Sequence, residues 1–268
     1  MRSAWLLMLV GGSLGLAACS TTPSAPAAAG AADHFYWRPA RGQEAGALVV
    51  LLPGASGLKV FEDEGHYFRV AERLNAEGFD ALVIDYKAAY HASVEPPGGD
   101  AGEKIAWVTE RGVEWVREQG WAGREEPVSI VAWSLGAEGV WQFMREPSRA
   151  SSMGLVAAAV YYPTNERGTP LDRAFPLLIL TGDLDDVTPV DGVRKLASGG
   201  EGPPALLHVY EGARHGFDIE TLPEKRTVRL VPLIGPSGTF GFSAPAAAAA
   251  AEALEDFLRS HAVANDPR

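Results

Sequence analysis

A chain of 268 residues, 47% hydrophobic and 21% charged, holds enough apolar material for one sizeable core and gives no reason to expect more than one folded domain. Its 34 acidic against 23 basic residues, a formal charge of −11, deny it the basic surface that phosphate-backbone binding needs, so nucleic acid is not an expected partner. A single cysteine excludes an intrachain disulfide and leaves stability to packing.

The chain opens with Arg2 and an apolar run over 5–16, too short to span a bilayer comfortably, which has the form of a signal peptide over 1–18. It ends Leu16-Ala17-Ala18-Cys19, and small residues before a cysteine resemble the bacterial lipobox, where the thiol is acylated and becomes the mature N-terminus. An ordinary cleavage site with an idle thiol is the competing reading. The sole cysteine, Cys19, standing where that processing needs it favours lipidation, hence a membrane partner through the lipid anchor. Ser20 in the next position resembles sorting to the outer membrane, with the domain facing the periplasm. Residues 20–32, built from Ser, Thr, Pro, Ala and Gly, are too poor in large apolar groups to offset their ordering entropy and are expected to be a tether. The folded domain is expected over 34–268.

From residue 34 onward short apolar runs alternate with helical patterns, the mark of a mostly parallel, doubly wound α/β sheet with helices on both faces. Residues 47–52 form an unbroken apolar run of the kind a strand buried on both faces shows, ended by Pro53-Gly54. A helix follows over 66–77, with Gly78 as its C-terminal cap, then a strand over 81–84. Residues 87–102, rich in Pro, Gly and His, are expected to be a loop, and 103–119 a helix. A strand at 127–133 turns directly into a helix over 134–145. Further strands are expected at 155–162, 176–181 and 206–210, with helices at 190–196 and about 246–261. The stretch 227–243 fits a lid, an extra hairpin or an edge addition.

Ser134 stands at a strand-to-helix junction in the pattern Ala132-Trp133-Ser134-Leu135-Gly136. A nucleophilic serine needs such a tight turn, because its hydroxyl must be lifted above the sheet while the next backbone N–H is left free for an oxyanion. Small residues two before and two after let strand and helix pass closely; Gly136 meets that need, and Ala132 stands where G-x-S-x-G has glycine. A simple helix N-cap is the competing reading of Ser134.

An acid and a base are then required on later loops at the carboxyl ends of strands. The strand at 176–181 runs into Gly182-Asp183-Leu184-Asp185-Asp186-Val187-Thr188-Pro189, where one of three carboxylates can orient an imidazole; turn and capping roles compete for them, most strongly at Asp186. His215 lies on the short loop after the strand at 206–210, where a general base for Ser134 must be. The backbone N–H of Leu135 and one from Pro53-Gly54-Ala55-Ser56-Gly57, taken as Ala55, are the expected oxyanion donors. Tyr86, His91 and Trp133 are expected to line the pocket. No metal or organic cofactor is expected, since no His/Cys/Asp cluster has ligand spacing.

Together Leu52 to Gly57, Val83-Ile84-Asp85-Tyr86, the elbow, Tyr161-Tyr162-Pro163, Gly182 to Pro189 and Arg214-His215-Gly216-Phe217 resemble the dienelactone-hydrolase-like branch of the α/β hydrolases. In that family the catalytic aspartate stands four residues before the proline, which the resemblance carries to Asp185. Dienelactone hydrolases proper use a cysteine nucleophile; serine at 134 points instead to general hydrolysis of carboxylic esters, small-molecule or envelope-derived, in the cell envelope. A peptidase or amidase on the same framework, and a silent envelope lipoprotein using the fold for binding, are the other readings.

Overall fold

The computed structural model describes residues 30–41, 47–165, 172–203, 205–230 and 237–261. The expected signal peptide, Cys19 and nearly all of the expected tether lie outside the described residues. The last residues assigned to that tether differ from expectation: Ala31–His34 form a 3₁₀ turn in which Ala31 is buried.

Seven strands form one sheet: β1 (Phe35–Arg38), β2 (Leu48–Leu52), β3 (Asp80–Ile84), β4 (Val128–Trp133), β5 (Leu155–Tyr161), β6 (Leu177–Gly182) and β7 (Ala205–Tyr210). Their order across the sheet is β1-β3-β2-β4-β5-β6-β7, with β1 antiparallel to β3 and every other neighbour parallel. All residues of β2, β3, β4 and β6 are buried, as their continuous apolar runs require of strands covered on both faces. At the edge, β7 shows alternating burial instead.

Alternate side chains of each strand enter two cores. Leu48, Val50, Leu52, Ile130 and Ala132 pack on one face, beneath α2 (Tyr86–Ala92), α3 (Ala101–Glu118), α4 (Ala137–Arg145), α5 (Pro147–Met153) and α6 (Val190–Ser198). Val49, Leu51, Val131 and Trp133 pack on the other, beneath α1 (His66–Ala76) and α7 (Ala244–His261).

The chain leaves β2 toward β3 on one side and later returns to place β4 on β2's other side. The helices that follow β2 and β4 therefore lie on opposite faces, and the loops at the carboxyl ends of these two strands diverge into a crevice. Ser134 and the Pro53 to Gly57 loop stand at that crevice.

Beyond strand β1, which the sequence pattern does not suggest, three elements depart from the expected order. The supposed loop at 87–102 begins as α2, because the Asp85 carboxylate caps the helix by accepting from Ala88 N–H at 3.1 Å while Tyr86 and Ala89 are buried. The helix expected from 134 starts as a 3₁₀ turn, Ser134–Gly136, before α4. Helix α5, not anticipated, opens on Pro147 at its first turn and stops at Gly154, whose φ is 76°. Within the 227–243 stretch, β8 (Arg226–Arg229) and β9 (Ser237–Phe240) pair as an antiparallel hairpin, one of the three forms the sequence left open.

Candidate active site

Ser134 has φ 49°, a left-handed conformation rare for a residue with a side chain and the backbone signature of a nucleophile held on a strained turn. The turn is possible because Gly136 passes against the end of β2: a Cβ there would lie 2.5 Å from the Leu52 carbonyl oxygen and 2.6 Å from that of Pro53. Ala132 is fully buried in the core that also holds Ala137 and Val140 of α4, so the methyl group is accommodated there.

The carboxyl ends of β6 and β7 bring two more side chains to this point. His215 Nε2 lies 3.1 Å from Ser134 Oγ, and His215 Nδ1 lies 2.9 Å from Asp185 Oδ2. Gly182 permits the close approach, for any Cβ there would overlap the Ala213 carbonyl of the histidine loop. Asp185 is fixed from both sides: Oδ1 accepts from Val187 N–H at 2.9 Å and Thr188 N–H at 2.8 Å, and Oδ2 from the Thr188 hydroxyl at 2.9 Å. Both Asp185 and His215 are buried, whereas Ser134 is partly open to the crevice. The structure thus brings Ser134, His215 and Asp185 into one hydrogen-bonded chain, with the acid holding the imidazole in the tautomer whose free nitrogen faces the serine.

The other two carboxylates of the acid loop have different work. Asp183 accepts from Gly212 N–H at 2.7 Å, and Asp186 accepts from the backbone N–H and hydroxyl of Thr239 at 2.6 and 2.8 Å. Burial pushes the Asp186 carboxyl up, but the two Thr239 hydrogen bonds and nearby Arg214 hold it below the usual range. Asp186 therefore stays charged and fastens β9 to the acid loop.

Opposite the serine, the Pro53 to Gly57 loop is pinned at several points. Gly54 N–H donates to the Tyr67 hydroxyl at 3.0 Å, the Tyr86 hydroxyl donates to the Gly54 carbonyl at 3.3 Å, and Lys87 Nζ donates to the Ala55 carbonyl. Gly54 N–H is thereby occupied, and exposed Ala55 is the next donor along the loop. Leu135 sits in the first turn after the elbow, where backbone N–H groups precede any carbonyl able to accept them.

A cavity of about 630 Å³ opens onto Ser134, His215 and Ala55. Its walls are mostly apolar, with Phe61, Val187, Ile219, Val228, Leu230 and Phe240 prominent. The β8–β9 hairpin supplies three of these six, and Phe240 also meets the His215 ring edge-on at 5.0 Å. Of the three expected pocket residues, Trp133 lines this cavity. Tyr86 and His91 do not: they line a separate pocket of about 230 Å³ with Lys87, Lys104 and Leu135. Tyr86 serves that loop through its hydroxyl instead.

Sequence reasoning assigned no role to Asp218, His66, Thr188 or Phe240. Thr188 lies one residue before the proline that marks the acid loop, a position that could have drawn notice. The others converge only through the fold.

A family model for dienelactone hydrolases matches residues 36–262. The chain belongs to the dienelactone hydrolase family. Comparison with curated proteins finds no match. Among solved structures, a Klebsiella pneumoniae protein named for the same family is 16% identical with a TM-score of 0.57, over 84% of this chain and 90% of that one. Esterase 2 of the planctomycete Thermogutta terrifontis is also 16% identical, with a TM-score of 0.54 over 84% and 88%. An α/β serine hydrolase homologue from Coxiella burnetii is 18% identical, with a TM-score of 0.51 over 68% and 83%. At these identities the likeness is one of fold, and the fold is that of the α/β hydrolases, a largely parallel sheet between two helical layers. Family membership and the assembled triad make this chain an α/β-hydrolase enzyme.

Proposed function

We propose that this hydrolase cleaves neutral carboxylic esters with apolar acyl groups through an acyl-enzyme. The observation that carries this reading is the 3.1 Å approach of His215 Nε2 to Ser134 Oγ at the edge of the 630 Å³ cavity. His215 removes the serine proton as Oγ attacks the ester carbonyl, then returns it to the departing alkoxide. Water, deprotonated by the same imidazole, hydrolyses the acyl-serine and regenerates the hydroxyl. Asp185 holds the imidazolium that forms at each step, and Ala55 and Leu135 N–H groups receive the developing oxyanion.

The apolar walls favour a hydrocarbon substituent on the ester, and the cavity lies within the ~300–1,000 Å³ range of small-molecule sites. Lys59 at the rim is already paired with Glu64 at 2.8 Å, which argues against its recruiting an anionic substrate. Esterase 2 of Thermogutta terrifontis, of the same fold, has been seen with butyrate bound and phosphorylated by paraoxon. A panel of acetyl, butyryl, hexanoyl and hemisuccinyl p-nitrophenyl esters, with butyranilide beside them, tests the proposal. Butyryl or hexanoyl turnover that disappears in Ser134→Ala is expected; preference for the hemisuccinate or the anilide would overturn the substrate class.

The place of action proposed for the enzyme is the cell envelope, with Cys19 acylated after removal of residues 1–18. The motif Leu16-Ala17-Ala18-Cys19 supports this. Palmitate labelling of the full chain in a Gram-negative host, abolished by Cys19→Ala, is the expected outcome; equal labelling of both, or of neither, refutes it.

A further inference from the structure

The molecule contains a buried carboxylate that the acyl-transfer chemistry does not use. Asp218 lies three residues beyond His215, with its side chain 10% exposed. Its Oδ2 accepts from the Trp133 indole N–H at 2.7 Å, and its Oδ1 accepts from the Tyr162 hydroxyl at 2.7 Å. His66 Nε2 lies 3.3 Å from Oδ2, off the line a hydrogen bond needs. Burial pushes the Asp218 carboxyl up, but His66 and the donors Tyr162 and Trp133 outweigh it and hold the group below the usual carboxylate range. Burial raises the Tyr162 phenol well above its ordinary value, so it stays protonated and able to donate.

What these partners hold sets Asp218 apart from an ordinary core polar group. Trp133 is the residue before the nucleophile, at the end of β4. Tyr162 follows the end of β5 at φ 37°, and its ring centre is 4.4 Å from that of the His215 imidazole. The Tyr162 carbonyl lies 3.2 Å from the Thr188 hydroxyl, which also reaches Asp185 Oδ2. His66 packs edge-on against Tyr67, whose hydroxyl accepts from Gly54 in the oxyanion loop. One carboxylate thus joins the backbone that presents the serine to the ring that backs the histidine, with further contacts toward the acid and the oxyanion loop.

On the ester-hydrolase reading above, we propose that Asp218 is a positioning residue for acyl transfer, tying Trp133 to Tyr162 so that the serine turn and the imidazole keep their alignment. The β4 and β5 ends are neighbours in the sheet, but their pairing does not fix side-chain rotation at the crevice. The carboxylate does, because its Oδ2 accepts from the indole N–H and its Oδ1 from the phenol O–H, which holds the two rings at a set separation and orientation. A buried network of this kind loses more than one bond when its central acceptor is removed.

The test is kcat on p-nitrophenyl butyrate per active site titrated with paraoxon, with KM and the thermal midpoint measured alongside. Tyr162→Phe and Asp218→Asn preserve volume, and each is expected to lower kcat per titrated site ~10-fold with KM within about twofold, while Asp218→Ala reaches ~100-fold, the scale of a misalignment of about 1 Å. The double variant Tyr162→Phe/Asp218→Asn should fall no further than the worse single one, because both remove the same tie. If Asp218→Ala fails to fold, the two volume-preserving variants decide. A lowered thermal midpoint with kcat per titrated site within twofold of wild type would mean a structural role only and overturn the proposal. An inert wild type would instead overturn the ester-hydrolase reading, and this inference with it.

Discussion

Replacing Asp185 with asparagine tests the catalytic geometry through a single atom. Asp185 Oδ1 accepts two backbone N–H groups, Val187 and Thr188, so an asparagine must keep its carbonyl oxygen on that side or leave both donors unpaired in a buried site. Its NH₂ then occupies the position of Oδ2 and points at His215 Nδ1, 2.9 Å away in the present structure. An amide donor there forces Nδ1 to accept, which places the ring proton on Nε2, facing Ser134 Oγ. The imidazole becomes a donor toward the serine and can no longer take its proton. The equivalent tautomer error in a serine-protease triad lowers kcat about 10⁴-fold, or ~5.4 kcal/mol of transition-state stabilisation. Steady-state hydrolysis of p-nitrophenyl butyrate at neutral pH should show that loss in kcat with little change in KM. Asp183→Asn, whose partner is the Gly212 N–H, should stay near wild type. Asp185→Asn activity within tenfold of wild type would refute the tautomer argument.

Further outcomes follow from other parts of the site and the core. Gly136→Ala should lower stability by about 1–3 kcal/mol in urea titration, because the new methyl meets the Leu52 and Pro53 carbonyls at the elbow. Asp186→Ala should release β9 from the acid loop and raise KM for hexanoyl esters more than for acetyl esters; an equal change in both would show that the hairpin does not shape the acyl site. Val228→Trp, which adds bulk to the cavity wall, should shift the preference toward acetyl esters, measured as the ratio of kcat/KM values. Asp63 is pushed up by burial, but its bonds from Arg69 and Gly65 N–H outweigh this and depress it below 3.8, so its stabilising contribution is complete above that value and lost as pH falls through the lower folded value. The stability gap between wild type and Asp63→Asn should accordingly be full at pH 7 and shrink below pH 3.8; a gap that widens in acid would contradict the sign.

The parts of this fold visible in the sequence are those whose physical cause is local. Strands β2, β4 and β6 are covered on both faces, so every residue had to be apolar or small and the runs could not be mistaken for amphipathic helices. The elbow was legible because its close passage demands glycine at 136, and His215 because an acyl-transfer base has few places to stand after β7. Strand β1, with Phe35-Tyr36-Trp37-Arg38, is short, antiparallel and at the sheet's edge, and its burial follows no simple alternation. Helix α2 was hidden by the breakers Pro96-Pro97-Gly98-Gly99, which lie beyond its end and led the whole stretch to be read as loop. The structure places Tyr86 and His91, on that helix, along the pocket of about 230 Å³ rather than the cavity that opens onto Ser134, a distinction that residue spacing alone does not carry. Asp218 could not be read at all: its partners stand 56 and 85 residues away, and no spacing rule links an aspartate to a tryptophan and a tyrosine at the ends of two other strands.

The account depends most on Ser134 becoming the atom that carries the acyl group. Incubating the wild-type protein with paraoxon and mapping the diethylphosphoryl adduct by peptide mass spectrometry tests this directly. One adduct per chain, on the peptide containing Ser134, formed far more slowly in His215→Ala, is the predicted result. A correctly folded wild type that stays unmodified, or one modified elsewhere, would contradict it.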